Sequence, residues 1–445
     1  QGLWALWHSW PGSGPVTMAL GLAYGLQHCG CHSEHLMKTF LILGAGTAGT
    51  MMAHKLDALL SPEEWRIVVV DQDDRHLYQP GLLFVPFGMA RPEDLVRSRS
   101  RNLPPRAELR LSAIESIDPE ARIVRLSDGE ELTWDLLLIA TGTRILPEET
   151  PGLTGEGWHK DAFDFYSLEG ATALRDRLAS WAGGTLVVNF VDVPIKCPVA
   201  PLEFAFLADA FFRERGMRDA VRLVYATPLE GAFTKPRASA ALGQMLGDRG
   251  IEVVSEFGLA SVDGGARRMT AFDGRTLDYD LLVTIPLHGG AHPFQNSTMG
   301  DALGFIPTDK RTLRSRDHEH IFVIGDATDV PASKAGSVAH FQGDVLVENI
   351  RRHLAGLPLL ADFDGHANCF IESGDGKALL IDFNYETEPL PGKFPLPVVG
   401  PFDLLAESHV NHWGKLAFEW IYWNILIRGG EMPIEHRMSL MGKRA

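Results

Sequence analysis

TFLILGAGTAGTMMAHKL, residues 39 to 56, followed by WRIVVVD, residues 65 to 71, decides the fold. A short apolar run, a glycine loop, a helix-periodic run and a second apolar run closed by an acid predict a strand, a tight turn, a helix and a parallel strand. Gly44, Gly46 and Gly49 have separate tasks. The first permits the turn, the second lets backbone approach a pyrophosphate, and the third lets helix and strand pack closely. Thr47 and Ala48 open the helix, whose first N–H groups point at phosphate, and Asp71 stands where it accepts from ribose hydroxyls. The stretch reads as a dinucleotide site.

Working outward, the chain repeats itself. SDGEELTWDLLLIA, residues 127 to 140, has Asp128-Gly129 as a hairpin turn and Asp135 ahead of an apolar strand. FDGRTLDYDLLVTI, residues 272 to 285, has Asp273-Gly274 and Asp280 in the same places, 145 residues later. The same offset carries Leu41, Ile42 and Leu43 onto Leu186, Val187 and Val188, but carries the three glycines onto Asn189, Val191 and Pro194. The second copy keeps the strand and loses the pyrophosphate loop, and its next strand, VRLVYATPLE, residues 221 to 230, lacks an acid at the tip for a ribose. The expected fold class is α/β, with two tandem Rossmann-like units. The first is expected over residues 37–150 and 286–360, the second over 151–285, and a C-terminal region over 361–445.

A chain with one dinucleotide site and a surrendered second one reads as a flavoprotein reduced by something other than a nicotinamide, with FAD in the first unit. Ala140-Thr141-Gly142 closes the strand WDLLLIATGT, and Gly325-Asp326 closes IFVIGD, where the chain returns to the first unit. Both are expected against FAD, and Gln79 with them. The net charge of -16 speaks against nucleic acid as a partner. Four cysteines are too few for a disulfide-stapled fold, and no metal site is expected. Residues 1–33 hold no Asp, Glu, Lys or Arg, and their longest apolar stretch, Val16 to Leu26, is too short to span a bilayer. Residues 1–36, with Cys29 and Cys31, read as a leader or unstructured segment, and Met37 as the expected start.

VPIKCPVAPLEF, residues 193 to 204, stands where the second glycine loop would be. Cys197 follows Lys196 and precedes the helix-periodic run LEFAFLADAFFRERG, two reasons to expect a depressed thiol pKa. Glu203, about one turn into that helix, is a candidate proton shuttle.

These residues resemble a known family. HLYQPGLLFVPFG at 76 to 88, IKCPVAPLEF at 195 to 204 and ANCFIESGDGKALLIDF at 367 to 383 are similar to sulfide:quinone oxidoreductases and the related flavoprotein subunit of flavocytochrome c sulfide dehydrogenase. The resemblance implies that Cys197 and Cys369 flank the flavin as a redox pair, bridged by a disulfide or polysulfur link that hydrosulfide attacks. Electrons would then pass to FAD and on to membrane quinone. It also implies that Lys334, in PASKAG, lies near the flavin pyrimidine and stabilises the reduced anion. A third family cysteine is absent from HKDAFDFYSLEGA, residues 159 to 171, which puts the sulfur product in doubt.

In PFDLLAESHVNHWGKLAFEWIYWNILIR, residues 401 to 428, Trp413, Leu416, Trp420 and Trp423 recur at helical spacing. Such a stripe, too interrupted by charge to cross a bilayer, suits a helix lying in the membrane interface. The expectation is a peripheral protein of a prokaryotic inner membrane, with homo-oligomerisation left open. Two other readings compete. A type II NADH:quinone dehydrogenase requires the glycine loop that the second unit lacks, and the tryptophan stripe speaks against, without excluding, a flavoprotein subunit feeding a cytochrome c partner.

Overall fold

The computed structural model describes residues 37–295, 297–432 and 434–444, so the leader expectation and Cys29 and Cys31 lie outside the described residues. The apolar run after Met37 is the central strand, Lys38–Leu43, of a five-stranded parallel sheet. Its order is Ile321–Val323, Leu136–Ile139, Lys38–Leu43, Trp65–Asp71, Glu108–Leu111. These strands are apolar on alternate residues in both directions because both faces are covered. Phe40, Ile42, Ile67 and Val69 pack with Met51 and Met52 of the helix Thr47–Leu59 and with Val345 and Leu346 of the helix Gly336–Leu354. Leu41, Leu43, Val68 and Val70 face a small antiparallel sheet carrying Val124, Leu126 and Leu132.

The second unit repeats this plan. Its parallel sheet runs Ala162–Phe163, Leu281–Ile285, Gly184–Phe190, Val221–Ala226, Glu252–Val254. The antiparallel layers recur at the offset read from the sequence: strands Ile114–Asp118 and Ile123–Leu126 in one copy, Leu259–Asp263 and Arg268–Ala271 in the other. The repeated acid has one job in both copies. Asp135 accepts from the amide of Thr39 at 2.7 Å, and Asp280 from the amide of Thr185 at 2.7 Å, fastening the start of each central strand. Two Rossmann-like units are therefore present.

The glycine turn separates them. Gly44 has φ +98, whereas Asn189, its counterpart, is fully buried. Its side chain fills the space by donating to Ala226 O at 3.1 Å and accepting from Thr284 Oγ1 at 3.1 Å.

Beyond the helix Gly336–Leu354 lies a four-stranded sheet in the order Ala367–Gly374, Lys377–Phe383, Gly400–Leu404, Gly392–Leu396. The helix His409–Ile421 packs on it, capped by Ser408, and continues as a π-helical turn, Tyr422–Leu426. Trp413, Leu416 and Trp420 are exposed. Trp423 is not: it is 1% exposed, with the Arg97 guanidinium 4.2 Å over its ring, and so leaves the stripe read from the sequence. Tyr422 explains the turn inward. Its hydroxyl meets Thr47 Oγ1 at 2.8 Å and His76 Nε2 at 2.7 Å, tying the C-terminal segment to the first unit. Among the described residues no helix is long and apolar enough to cross a membrane.

Candidate active site

A cavity of about 660 Å³ runs from the glycine turn to the loop that carries Cys197. At one end the chain has made room for a backbone-close ligand. A Cβ on Gly49 would stand 1.8 Å from Gly44 O, and one on Gly44 2.4 Å from Ala140 O, while one on Gly46 would meet nothing within 4 Å. Gly44 and Gly49 thus permit the tight strand–turn–helix packing, and Gly46 with Thr47 and Ala48 presents bare backbone to the cavity. Asp71 accepts from the amide of Ala45 at 2.7 Å and pairs with Arg99. Burial pushes its carboxyl up, against the pull of Arg99 and that amide. Gln79 and Ala140-Thr141-Gly142 also line the wall. The hydroxyls of Thr141 and Thr143 are buried there with no hydrogen-bond partner. Orphaned donors beside a glycine cradle and a strand-tip acid fit a dinucleotide.

Toward the other end stand Asp326, Lys334, Lys196 and Tyr166. Gly325, at φ +68, turns the chain after Ile321–Val323, and its amide donates to Gln342 Oε1 at 2.7 Å. Lys334 donates to the carbonyls of Asp326 and Thr328, both at 2.8 Å. Burial lowers this lysine to about 8, against the pull of Asp326, whose own carboxyl burial raises. The loops are stitched together: the amide of Cys197 donates to Lys334 O at 2.7 Å, and the Tyr166 hydroxyl donates to Lys196 O at 2.8 Å.

Cys197 sits at φ +44 just before the helix Ala200–Glu214 and lines the cavity with Glu203. Its thiol is pushed up to about 12, first by burial and then by Glu203. The depressed pKa expected from Lys196 and the helix start is therefore wrong: desolvation outweighs both, and the lysine ammonium acting on this sulfur is that of Lys415. Glu203, 1% exposed, pairs with Lys415 and accepts from the amide of Glu372 at 2.7 Å. Cys369 is on the strand Ala367–Gly374, outside the cavity wall, and burial raises its thiol as well. The redox bridge expected between the two cysteines is overturned, because both are free thiols. The strand holding Cys369 is fixed by its register with Lys377–Phe383, opposite Ile381, and does not carry its thiol into the wall where Cys197 stands.

The site residues found locally in the sequence are joined by several that were not. Arg99, Tyr166, Lys415 and Tyr422 in the wall, and Gln342 behind it against Gly325, come from segments far along the chain, and only Arg99 had a local signal, the basic run RSRSR at 97 to 101.

The model of the pyridine nucleotide-disulphide oxidoreductase family matches residues 38–343, well over half of the chain. The chain belongs to this family. Within it, the sequence is 27% identical over 395 residues to the mitochondrial sulfide:quinone oxidoreductase of Dictyostelium discoideum, covering 87% of this chain and 86% of that protein. It is 25% identical over 397 residues to the protein of the same name from Mus musculus, with 87% and 86% covered. The crystal structure of the sulfide:quinone oxidoreductase from Aquifex aeolicus superposes with a TM-score of 0.71 over 88% of this chain and 92% of that one, at 18% identity, and so speaks for the fold. The resemblance to sulfide:quinone oxidoreductases read from three motifs is borne out, and so is the reading as an oxidoreductase.

Proposed function

We propose that this member of the pyridine nucleotide-disulphide oxidoreductase family binds FAD, takes electrons from sulfide and gives them to quinone at a membrane surface. One observation supports it most: a cavity end with a dinucleotide cradle is continuous with a wall bearing Cys197, Glu203 and Lys415, while Asn189 fills the place of a second cradle. The sulfide:quinone oxidoreductases among its relatives give the substrate class.

The glycine turn, the Thr141 and Thr143 hydroxyls and Asp71 would hold FAD. Lys334, Lys196 and Asp326 would border its reacting end. The bound flavin supplies a two-electron acceptor that passes its electrons to quinone. The remaining chemistry belongs to this chain's residues. Cys197 gives up its thiol proton to Glu203 and its sulfur bonds to the sulfur of hydrosulfide as a persulfide, the two electrons released by that bond going to the bound acceptor. Burial works against the charge on Lys334 and Lys196 while Asp326 supports it, and positive charge placed in so desolvated a wall acts strongly on a developing anion. Trp413, Leu416 and Trp420, exposed along one face of the helix His409–Ile421, lie in the membrane interface with Leu396, Val398 and Val399 of the neighbouring hairpin. The opposite face of that helix gives Lys415 and Phe418 to the cavity, an arrangement that supports access of a membrane-borne quinone to the site.

The test is steady-state reduction of a soluble quinone by the purified flavoprotein. Sulfide supports turnover, NADH does not, and Cys197→Ala abolishes it; turnover with NADH and none with sulfide overturns the reading.

A further inference from the structure

Over a full cycle that returns Cys197 as a thiol, the proposed reaction is hydrosulfide plus quinone plus one proton giving zero-valent sulfur plus quinol. Sulfur gives up two electrons, quinone takes them, and hydrosulfide brings only one of the two protons that quinol needs. The other must enter from outside. The cavity wall ends in a buried ionisable chain that leads outward on the inner side of the helix His409–Ile421. Lys415, in the wall, pairs with Glu203 and lies 3.3 Å from Phe370 O. Glu372, two residues beyond Phe370, is 1% exposed and lends its amide to Glu203. The Glu372 carboxylate accepts from His412 Nδ1, 3.0 Å from either oxygen. His412 is the partly exposed member, its side chain 14% accessible, one helical turn before Lys415.

We infer that His412 and Glu372 are the outer half of a proton-uptake path that delivers to Lys415 the proton consumed in quinol formation. The inference rests on the quinone reading above. An ionisable group is costly to bury, and a well-packed apolar pair would serve stability at least as well. The arrangement is also poised to pass a proton. Burial raises the Glu372 carboxyl, against the pull of Lys415 and His412 and with a push from Glu203, and both of its oxygens stand 3.0 Å from the His412 ring nitrogen, within reach of a proton carried there. Burial opposes the charge on Lys415, but Glu203 and Glu372 outweigh it and keep the ammonium charged, ready to be refilled after it donates.

The test is anaerobic re-oxidation of the reduced holoenzyme by a soluble quinone, at mildly alkaline pH, in weak buffer with a pH-indicating dye. Wild type takes up one proton per quinone in step with re-oxidation. His412→Gln and Glu372→Gln slow re-oxidation and proton uptake together, about tenfold or more, raise the solvent deuterium isotope effect of that step, and added imidazole restores His412→Gln. Glu372→Gln also shifts the His412 ring resonances in NMR of the holoenzyme, a change read without turnover. Wild-type re-oxidation in both variants overturns the path. If Glu372→Gln misfolds, His412→Gln, at a partly exposed site, decides alone. Reducing the flavin with dithionite instead of sulfide keeps the outcomes separate: failure of sulfide to reduce the protein sinks the sulfide reading, whereas the re-oxidation arm still tests the path.

Discussion

At Gly46 and Gly49 a single methyl group has two different consequences. A Cβ on Gly49 would collide with the backbone of Gly44, which neither side can relieve by a rotamer change, whereas one on Gly46 enters only the cavity. Gly49→Ala is expected to cost several kcal/mol, on the scale of about 3, and to lower the melting temperature. Gly46→Ala is expected to fold normally and lose bound flavin, read as the ratio of flavin to protein absorbance. Equal melting temperatures for the two variants would contradict these roles. Those glycines were legible because their work is local, done within one strand, turn and helix. The Cys197 thiol was misread for the opposite reason: its neighbours in sequence, Lys196 and the helix start, predict a low pKa, while burial and Glu203 set a high one. No pattern in one segment reports desolvation by another.

The helix His409–Ile421 shows how far periodicity carries an element. Its helical spacing was visible in Trp413, Leu416 and Trp420, and all three are exposed, but spacing cannot tell outward from inward where the π-helical turn Tyr422–Leu426 rotates the pattern. Trp423 therefore joins His76, Tyr78 and Tyr422 in an aromatic cluster, 5.2 Å from His76 between ring centres. The two kinds of tryptophan should respond differently. Trp413→Ser with Trp420→Ser is expected to leave thermal stability unchanged and to reduce co-sedimentation with anionic lipid vesicles several-fold. Trp423→Ala is expected to cost about 3 to 5 kcal/mol in chemical denaturation. Unchanged vesicle binding in the double variant would remove the membrane from the account.

At the scale of the whole molecule, the internal repeat was the most legible feature, because the offset of Asp128-Gly129 and Asp135 to Asp273-Gly274 and Asp280 is kept by hairpins and strand starts that do the same work in both copies. What joins the C-terminal segment to the two copies was hidden, since Tyr422 meets Thr47 and His76, and Lys415 meets Glu203, only after the chain has returned across hundreds of positions. One such joint sets an acid limit. His76, 1% exposed, is lowered to about 4 by burial and then by Arg99, so the unfolded chain binds a proton there that the folded one refuses. Stability from this group is intact above the unfolded value near 6.5 and is lost as pH falls toward about 4, by up to about 3 kcal/mol. His288, lowered to about 3 by burial and Lys196, adds in the same direction. Thermal melts should show His76→Gln losing less stability than wild type between neutral and mildly acidic pH, and equal losses would contradict the assignment. The identity of the electron donor is tested by anaerobic rapid mixing of the oxidised flavoprotein with sulfide and, separately, with NADH. Bleaching of the flavin by sulfide and not by NADH, lost in Cys197→Ala, is the predicted result; bleaching by NADH with none by sulfide would contradict it.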